Sequence, residues 1–390
     1  MRYYLVRIAN QTFVTSLGSN GIVDPGAQQI EFDIITGAFG NPGGDAAPFL
    51  KISGVPISQI GQSKKFVGLP IQIYGGMSKG LPLANPAQQG LLVQGNIGES
   101  WENRIGTNMD LNFLIIPGGN TLNTAAGATQ AGQSMTAGGG QAINANTPIP
   151  LTLNWQPGQT LASAASNALQ IALPNFKISA NISPLLTNNS NQVKAGIYPN
   201  LASFADYLRL TSVNQITTSP YGAGSAVYTG VQLAIQAGTV SLFDGRGTTS
   251  QNAKAIAFQD LIGQPTWQSG NRIQVTTVLR GDLAVGMAIS LPAVSSQSGV
   301  GQVNVQGSVG FAQMRDTSIF AGNFMITQIR HIGNYKMADG SRWATYIDAI
   351  PATSTNSNIA QPPSSGVTIE SIDINGTVGG GGNASPLGPS

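Results

Sequence analysis

His331 is the only histidine of the chain, and it is the first residue to consider as a catalytic group. Histidine acts as a general acid or base when a carboxylate orients it and a nucleophile or metal lies beside it. Asp339 and Asp348 belong to the same predicted hairpin, residues 324–351. However, no G-x-S-x-G nucleophile pattern occurs, and no cysteine and only four scattered glutamates are present to build a zinc site. We therefore expect His331 to have a structural or interface role.

Two further motifs have spacings that suggest chemistry or recognition. Glu99 and Glu102 are the closest pair of glutamates, and paired carboxylates can carry out glycoside hydrolysis. They fall in a hairpin turn region, where solvated charge is the ordinary expectation. Arg280-Gly281-Asp282 matches a cell-adhesion tripeptide, but Gly-Asp between alternating strands is also good turn chemistry, as is the DGRG sequence at 244–247. We therefore predict no catalytic, cofactor-binding or metal-binding residues, no cofactor, and no enzymatic activity.

The composition is poor in charge. Charged residues make up 9% of the 390 residues, against about 25% in typical soluble proteins. Little electrostatic repulsion separates such surfaces, so copies of the chain should tend to associate. Two explanations stay open: a surface covered by partners, or a β protein whose surface is polar without being charged.

The same composition argues against two classes of partner. The net charge is +2 and no basic face is evident, so we expect no sequence-specific nucleic-acid binding. No run reaches the ~20 apolar residues of a membrane-spanning helix, so we expect no stable membrane insertion. The alternating N-terminal sequence MRYYLVRIANQTF is typical of a strand and not of a signal peptide.

Alternating apolar and polar residues, interrupted by glycine and proline, predict strands along most of the chain. These strands are expected at residues 3–9, 29–37, 69–76, 91–97, 110–117, 230–244, 271–279, 283–292 and 302–312. Apolar residues at helical spacing, with a capping residue before them and proline after them, predict helices at 160–174 and 250–265 and a shorter one at 200–208.

One hairpin pattern occurs twice. Residues 91–117 and 324–351 each contain an apolar strand, an Ile-Gly pair, a polar turn region and an alternating strand that ends in Ile-Pro. Similar elements precede them, GLPIQIYGG before the first and VGMAISLP before the second. The repetition predicts two β domains of one type with other material inserted between them.

We therefore predict a mainly β protein with minor α content. The expected divisions are two tube-type β-barrel domains at 1–117 and 230–352, a Gly/Ala-rich flexible loop at 118–148, an inserted α+β region at 149–229, and a flexible C-terminal tail at 353–390.

Two segments of the second half carry a resemblance to a known family. The first runs from Asp260-Leu261-Ile262-Gly263-Gln264-Pro265 through Leu279-Arg280-Gly281-Asp282 to Val285-Gly286 and Leu291-Pro292. The second is an I-x-x-I-x-H-x-G strand formed by Ile326, Ile329, His331 and Gly333, followed by Trp343 and a strand that reaches Pro351. In order and spacing they resemble the baseplate hub proteins of tailed bacteriophages, the group of late-control and Mu-type hubs.

The resemblance implies a structural role in a virion. Such a hub is a homotrimer whose chains each supply two tube-type barrels, so that six similar barrels meet a sixfold tail tube while the other face meets a threefold central spike. The implied partners are further copies of the chain, the tail tube protein or tube initiator, the spike protein, baseplate wedge proteins, and the tape measure protein in a channel that also passes DNA. The implied location is the tail baseplate, after assembly in the host cytoplasm.

Two other functions remain as alternatives on sequence. A β-rich adhesin that binds a receptor or carbohydrate would have the same Gly/Asn/Thr-rich, weakly charged composition. A cell-wall hydrolase would require Glu99 or Glu102 to act on peptidoglycan.

Overall fold

A computed structural model describes residues 1–39, 47–78, 85–117, 148–217, 228–236, 238–246, 253–269, 272–292 and 322–352. The protein is mainly β, as the alternation predicted. The predicted strand at 302–312 and the predicted tail at 353–390 lie outside the described residues, as does nearly all of the predicted loop at 118–148.

Most strands belong to one thirteen-stranded sheet. Its N-terminal strands are β1 Arg2–Ile8, β2 Gln11–Thr15, β3 Gln29–Gly37, β4 Phe49–Ser53, β5 Pro70–Met77, β6 Gly90–Ile105 and β7 Asn108–Pro117, with the short helix α1 Ile57–Ile60 between β4 and β5. Buried and less buried residues alternate along β3 and β4, because each strand places successive side chains on opposite faces of the sheet.

A second group of elements follows in the inserted region. It comprises β8 Leu151–Trp155, α2 Leu161–Ala172, β9 Lys177–Asn181, β10 Lys194–Tyr198, α3 Leu201–Thr217, β11 Gln232–Gln236 and β12 Thr239–Phe243. The remaining strands return to the large sheet: β13 Lys254–Ala255, β14 Thr266–Ser269, β15 Arg272–Val278, β16 Ala288–Leu291, β17 Gly322–Asn334 and β18 Trp343–Pro351.

The large sheet contains the same five-stranded unit twice. In the N-terminal unit the strands pair in the order β3-β4-β7-β6-β5, and in the C-terminal unit they pair in the order β14-β15-β18-β17-β16. Within both units the strands follow one another along the chain in the same sequence, and all pairs are antiparallel. The repeated hairpin of the sequence is therefore part of a larger repeated unit.

The two units also share a hydrogen-bonding register. In the β6–β7 hairpin Pro117 lies opposite Gly95, and in the β17–β18 hairpin Pro351 lies opposite Phe324. Both hairpins have a register shift immediately beyond the third pair from that proline. Apolar alternation alone does not specify where a bulge falls, and bulges are retained features of a fold, so the two units agree in a feature that the alternation did not determine.

The same glycine turn precedes β5 in the N-terminal unit and β16 in the C-terminal unit. The N–H of Gly68 donates to the carbonyl of Ile97 at 2.7 Å, and that of Gly286 donates to the carbonyl of Ile326 at 2.8 Å. Both glycines have φ near +85°, a conformation that residues with a Cβ rarely adopt. Each turn therefore fixes its strand against the residue that precedes the bulge.

The units are joined where β3 pairs with the second half of β17. Residues 31–37 of β3 lie antiparallel to residues 328–334 of β17. The Phe32 ring packs edge-on against Trp343 with centroids 5.3 Å apart, and a Cβ on Gly333 would lie 2.1 Å from that ring. The glycine of the I-x-x-I-x-H-x-G pattern therefore makes room for an aromatic residue of the other unit.

The N-terminal part of the sheet curves back on itself around one apolar core. The Tyr4 hydroxyl on β1 donates to the Gln28 carbonyl at 2.6 Å, and its ring meets Tyr335 with centroids 4.9 Å apart, although several strands separate β1 from these residues in the sheet. Among the described residues no pairing joins β2 to β3, so the strands do not close into the expected barrels.

The inserted region has its own core. β8 pairs with β10, and β9 pairs in parallel with β12, which also pairs with β11. Thr160 caps α2 by accepting from the Ser163 N–H, and the helix ends where the sequence predicted. The hairpin β11–β12, which the sequence divisions assign to the second β domain, packs one face into this core and places Ala234 and Phe243 in the core of the C-terminal unit.

The helix predicted at 250–265 is wrong for the described residues. Residues 254–255 form a strand parallel to β16, and residues 258–260 form one 3-10 turn. Of the apolar residues expected on a helical face only Ile256 is buried, and its N–H donates to the Ser290 carbonyl. Pairing with β16 has overridden the helical spacing. By contrast, the helix predicted at 200–208 extends to Thr217.

Candidate functional site

The loop after β15 carries a buried charged cluster beside the N-terminal unit. Arg280, which is 2% exposed, donates to Asp260 at 3.2 Å and forms a bidentate pair with Asp282 at 2.8 and 3.0 Å. Gln88, which precedes β6 of the other unit, donates to the same Asp260 oxygen at 2.8 Å. The cluster therefore connects the two units, and we call the region around it the junction.

The backbones of the two units also meet closely at the junction. The Gly281 N–H donates to the Gln88 carbonyl at 2.9 Å. A Cβ on Gly90 would lie 2.1 Å from the Gly281 oxygen, and a Cβ on Gly281 would lie 2.6 Å from the Gly90 nitrogen. Only glycine fits at either position, so the contact depends on both residues.

Asp282 is charged in this setting. Burial alone would raise the pKa of its carboxyl, but the hydrogen bonds and charges of Arg280 and Lys254 outweigh burial and lower the pKa. The Lys254 Nζ lies 2.5 Å from the Asp282 carboxylate. Two cations therefore neutralise the buried carboxylates Asp260 and Asp282, as buried charges require.

His331 is linked to the charged cluster through Thr345. Its Nδ1 is 2.9 Å from the Thr345 hydroxyl oxygen, which accepts from the Arg280 backbone N–H at 2.9 Å. The imidazole is 1% exposed, and burial lowers the pKa of His331 to about 3. The neutral ring is therefore buried on β17, the strand between β3 and β18, and through Thr345 it supports the Arg280 backbone.

The carboxylates expected near His331 lie elsewhere. Asp339 is exposed and accepts from Ser341, where it caps a 3-10 turn. Asp348 lies on β18 opposite Gln274, and burial raises the pKa of its carboxyl. Neither Asp339 nor Asp348 is therefore the hydrogen-bond partner of His331, whose Nδ1 faces Thr345.

Glu99 and Glu102 do not converge. Both lie on β6, where residues three apart point to opposite faces of the sheet. Glu102 accepts a hydrogen bond from Ser63, and both glutamates are exposed. The two carboxylates therefore cannot flank one glycosidic bond in this geometry.

A cleft of about 360 Å³ opens beside the charged cluster. Its walls include Asn85, Gln88, Lys254, Asp260, Arg280 and Asp282. The charged groups on these walls are already paired with one another, so the cleft presents little unpaired charge to a ligand. In the part of the chain that the structure describes, no group of three or more potential metal ligands occurs and no helix is long and apolar enough to cross a membrane.

Sequence reasoning missed the junction. Residues 281–282 do form the predicted turn, but the ion pairs of Arg280 and Asp282 beside it were not predicted. Gln88 and Asp260 are 172 residues apart, so no local pattern predicts their contact. One signal in the sequence could have indicated the junction. The chain has few charged residues, yet Asp260, Arg280 and Asp282 lie close to apolar strands, where charged residues need partners.

Comparison with known proteins gives structural neighbours only. No protein-family model matches the chain, and no curated protein matches it. A tail protein from Neisseria meningitidis MC58 is 11% identical with a TM-score of 0.43, and the match covers 90% of this chain and 96% of that one. The 43 kDa tail protein of prophage MuSo2 from Shewanella oneidensis is 6% identical with a TM-score of 0.42, covering 90% and 98%. The neighbours are phage tail proteins, and at these values no residue role carries over.

The buried neutral histidine predicts a pH dependence of stability. Its folded pKa of about 3 lies below the ordinary 6.5, so the unfolded chain takes up the proton first. Its contribution to stability is therefore present above about pH 6.5 and is lost as the pH falls towards 3, by about 2 kcal/mol at pH 5. Urea unfolding at pH 7 and pH 5 should show that His331→Asn loses less stability than the parent protein. Equal losses in both proteins would contradict this assignment.

The charged cluster predicts a large effect of removing its arginine. Arg280→Met leaves Asp260 without its cation, which should lower the unfolding free energy by about 3–5 kcal/mol. The matched control is Arg209→Met, because Arg209 pairs with Asp206 on an exposed helix face and its loss should cost roughly 0–1 kcal/mol. Denaturant unfolding measures both values, and similar small losses would show that the buried pairs do not stabilise the junction.

Proposed function

We propose that this protein is a structural hub of a phage tail baseplate. In this role it acts as a homotrimeric adaptor between a sixfold tail tube and a threefold central spike and encloses the channel for tape measure and DNA. The observation that carries the proposal is the internal duplication: one chain holds two five-stranded units of equal pairing order and register. Three chains would present six similar units, which reconciles the two symmetries.

Further support comes from the sequence. The segments at 260–292 and 326–351 resemble hub proteins in their order and spacing. The structure gives physical roles to several of those residues, because Arg280 and Asp282 hold the junction and Gly333 admits Phe32 between the units. The motif residues thus maintain the arrangement of two units, which is the property that a hub requires.

A charge-poor surface is also what repeated assembly favours. With 9% charged residues, copies and partners can be packed together with little charge to desolvate. We propose that the tube-type barrels are completed in the assembled state, where neighbouring chains supply strands to open edges. The tail tube protein or tube initiator would contact the ring of units, and the spike, wedge and tape measure proteins would contact its other surfaces.

The role proposed here is not enzymatic. Among the described residues, His331 is buried and Glu99 and Glu102 point apart, so the groups first considered for chemistry do not form one site. Arg280-Gly281-Asp282 does not support the adhesin alternative, since Arg280 and Asp282 bind each other in the interior, and that alternative rests on composition alone. The two neighbours named above are tail proteins, but the proposal rests on the duplication and the sequence resemblance.

The mass of the purified protein in solution tests the proposed trimer. Light scattering after size exclusion should give three times the 40.2 kDa of one chain. The trimer should also co-sediment with assembled tail tubes of the same phage and bind at their ends. A monomer at every concentration, with no binding to tubes, would contradict the proposal.

A further inference from the structure

We propose that neighbouring copies of this chain join edge to edge, with β14 of one copy pairing with the second half of β6 of the next. The inference rests on the proposed ring-forming function, and it names the strands that form the contact. In the C-terminal unit the second half of β17 pairs with β3 of the other unit. The equivalent half of β6 in the N-terminal unit has no such partner strand among the described residues, and the proposal supplies one from a neighbouring copy.

The occupied edge belongs to β17. Residues 322–325 of this strand pair with β16. Residues 328–334, beyond the bulge, pair on one side with β18 and on the other with β3 of the N-terminal unit. The second half of β17 thus pairs with β3, which is the outermost strand of the N-terminal unit.

The equivalent half of β6 lacks a second strand partner. Residues 90–96 of β6 pair with β5, and residues 99–105 pair with β7 on one side. On the other side of residues 99–105 no strand of the described chain is paired, although the 3-10 turn Ser63–Phe66 packs beside β6 and its Ser63 donates to Glu102. Glu102, Asn103 and Arg104 are exposed there, whereas alternate residues of the equivalent half of β17 are buried.

The strand equivalent to β3 is also open. In the N-terminal unit Phe49 of β4 pairs with Asp33 of β3, and at the same place in the C-terminal unit Gln274 of β15 pairs with Thr266 of β14. β3 has strands on both sides, whereas β14 is the terminal strand of the described sheet. Thr266 is exposed, whereas its equivalent Asp33 is partly buried and forms an ion pair with Arg330 of β17.

Equivalence also fixes the register of the proposed contact. Within the chain Asp33 lies opposite Ile332, which is in the fifth pair beyond the hairpin bulge. The equivalent of Asp33 is Thr266, and the residue in the fifth pair beyond the bulge of β6 is Asn103. Thr266 of one copy should therefore lie opposite Asn103 of the next.

The chemistry of the two edges suits such a contact. An open strand edge offers backbone N–H and C=O groups that a second strand can satisfy. The occupied edge shows that charged residues are compatible with pairing, because Arg330 of β17 forms a bidentate pair with Asp33 of β3. Since β14 and β6 are different surfaces, the contact is head to tail and closes into a ring when the rotation allows it.

Cysteine cross-linking tests this pairing, because the natural chain contains no cysteine. Thr266→Cys and Asn103→Cys are made as separate full-length variants, mixed, and treated with a short bismaleimide. We expect a covalent dimer in the mixture that neither variant forms alone, and a ladder of higher species from the double variant. Both substitutions are at exposed positions, so folding should be retained, and light scattering checks that each variant assembles as the parent does.

The matched control replaces Asn103→Cys with Thr12→Cys, which is an exposed residue of β2 at the other end of the sheet. Cross-linking of Thr266→Cys to this control in place of Asn103→Cys would overturn the assignment of the β6 edge. Oligomers that yield no product between positions 103 and 266 would also overturn it and leave the proposed trimer intact. A protein that is monomeric throughout would remove both the edge contact and the proposed function.

Discussion

The arrangement of this molecule depends on the pairing of β3 with the second half of β17. That contact converts two five-stranded units, far apart in the sequence, into one continuous sheet. It buries Phe32 against Trp343 and places Gly333 where a larger residue would collide with the ring. Without it, both units would expose strand edges, which are reactive surfaces for association.

The junction adds polar contacts that cross between the two units. Gln88 of the N-terminal unit donates to Asp260, whose charge Arg280 neutralises, and the Gln88 carbonyl accepts from the Gly281 N–H. Gly90 and Gly281 permit the backbones to touch. A shift of one unit against the other would break these buried hydrogen bonds, so they favour one relative position.

Much of the fold was predictable because its strands are half-buried. The period-two pattern located β3 at residues 29–37, and the repeated Ile-Pro hairpins predicted two similar units, whose pairing order and bulge positions agree. The helix at 250–265 was wrong because a strand pairing outweighed local spacing. The junction was missed because its residues meet only after folding. Barrel closure is not seen in the described chain, and the free edges of β14 and β6 explain how closure can depend on neighbouring copies.

Electron microscopy of the purified protein viewed along the ring axis tests the central claim most directly. If each chain contributes two equivalent units joined edge to edge, the averages should show a closed ring of six similar lobes around a channel, with weaker threefold features from the inserted regions. Separate two-lobed particles, or rings in which the lobes touch only through the inserted regions, would contradict the account.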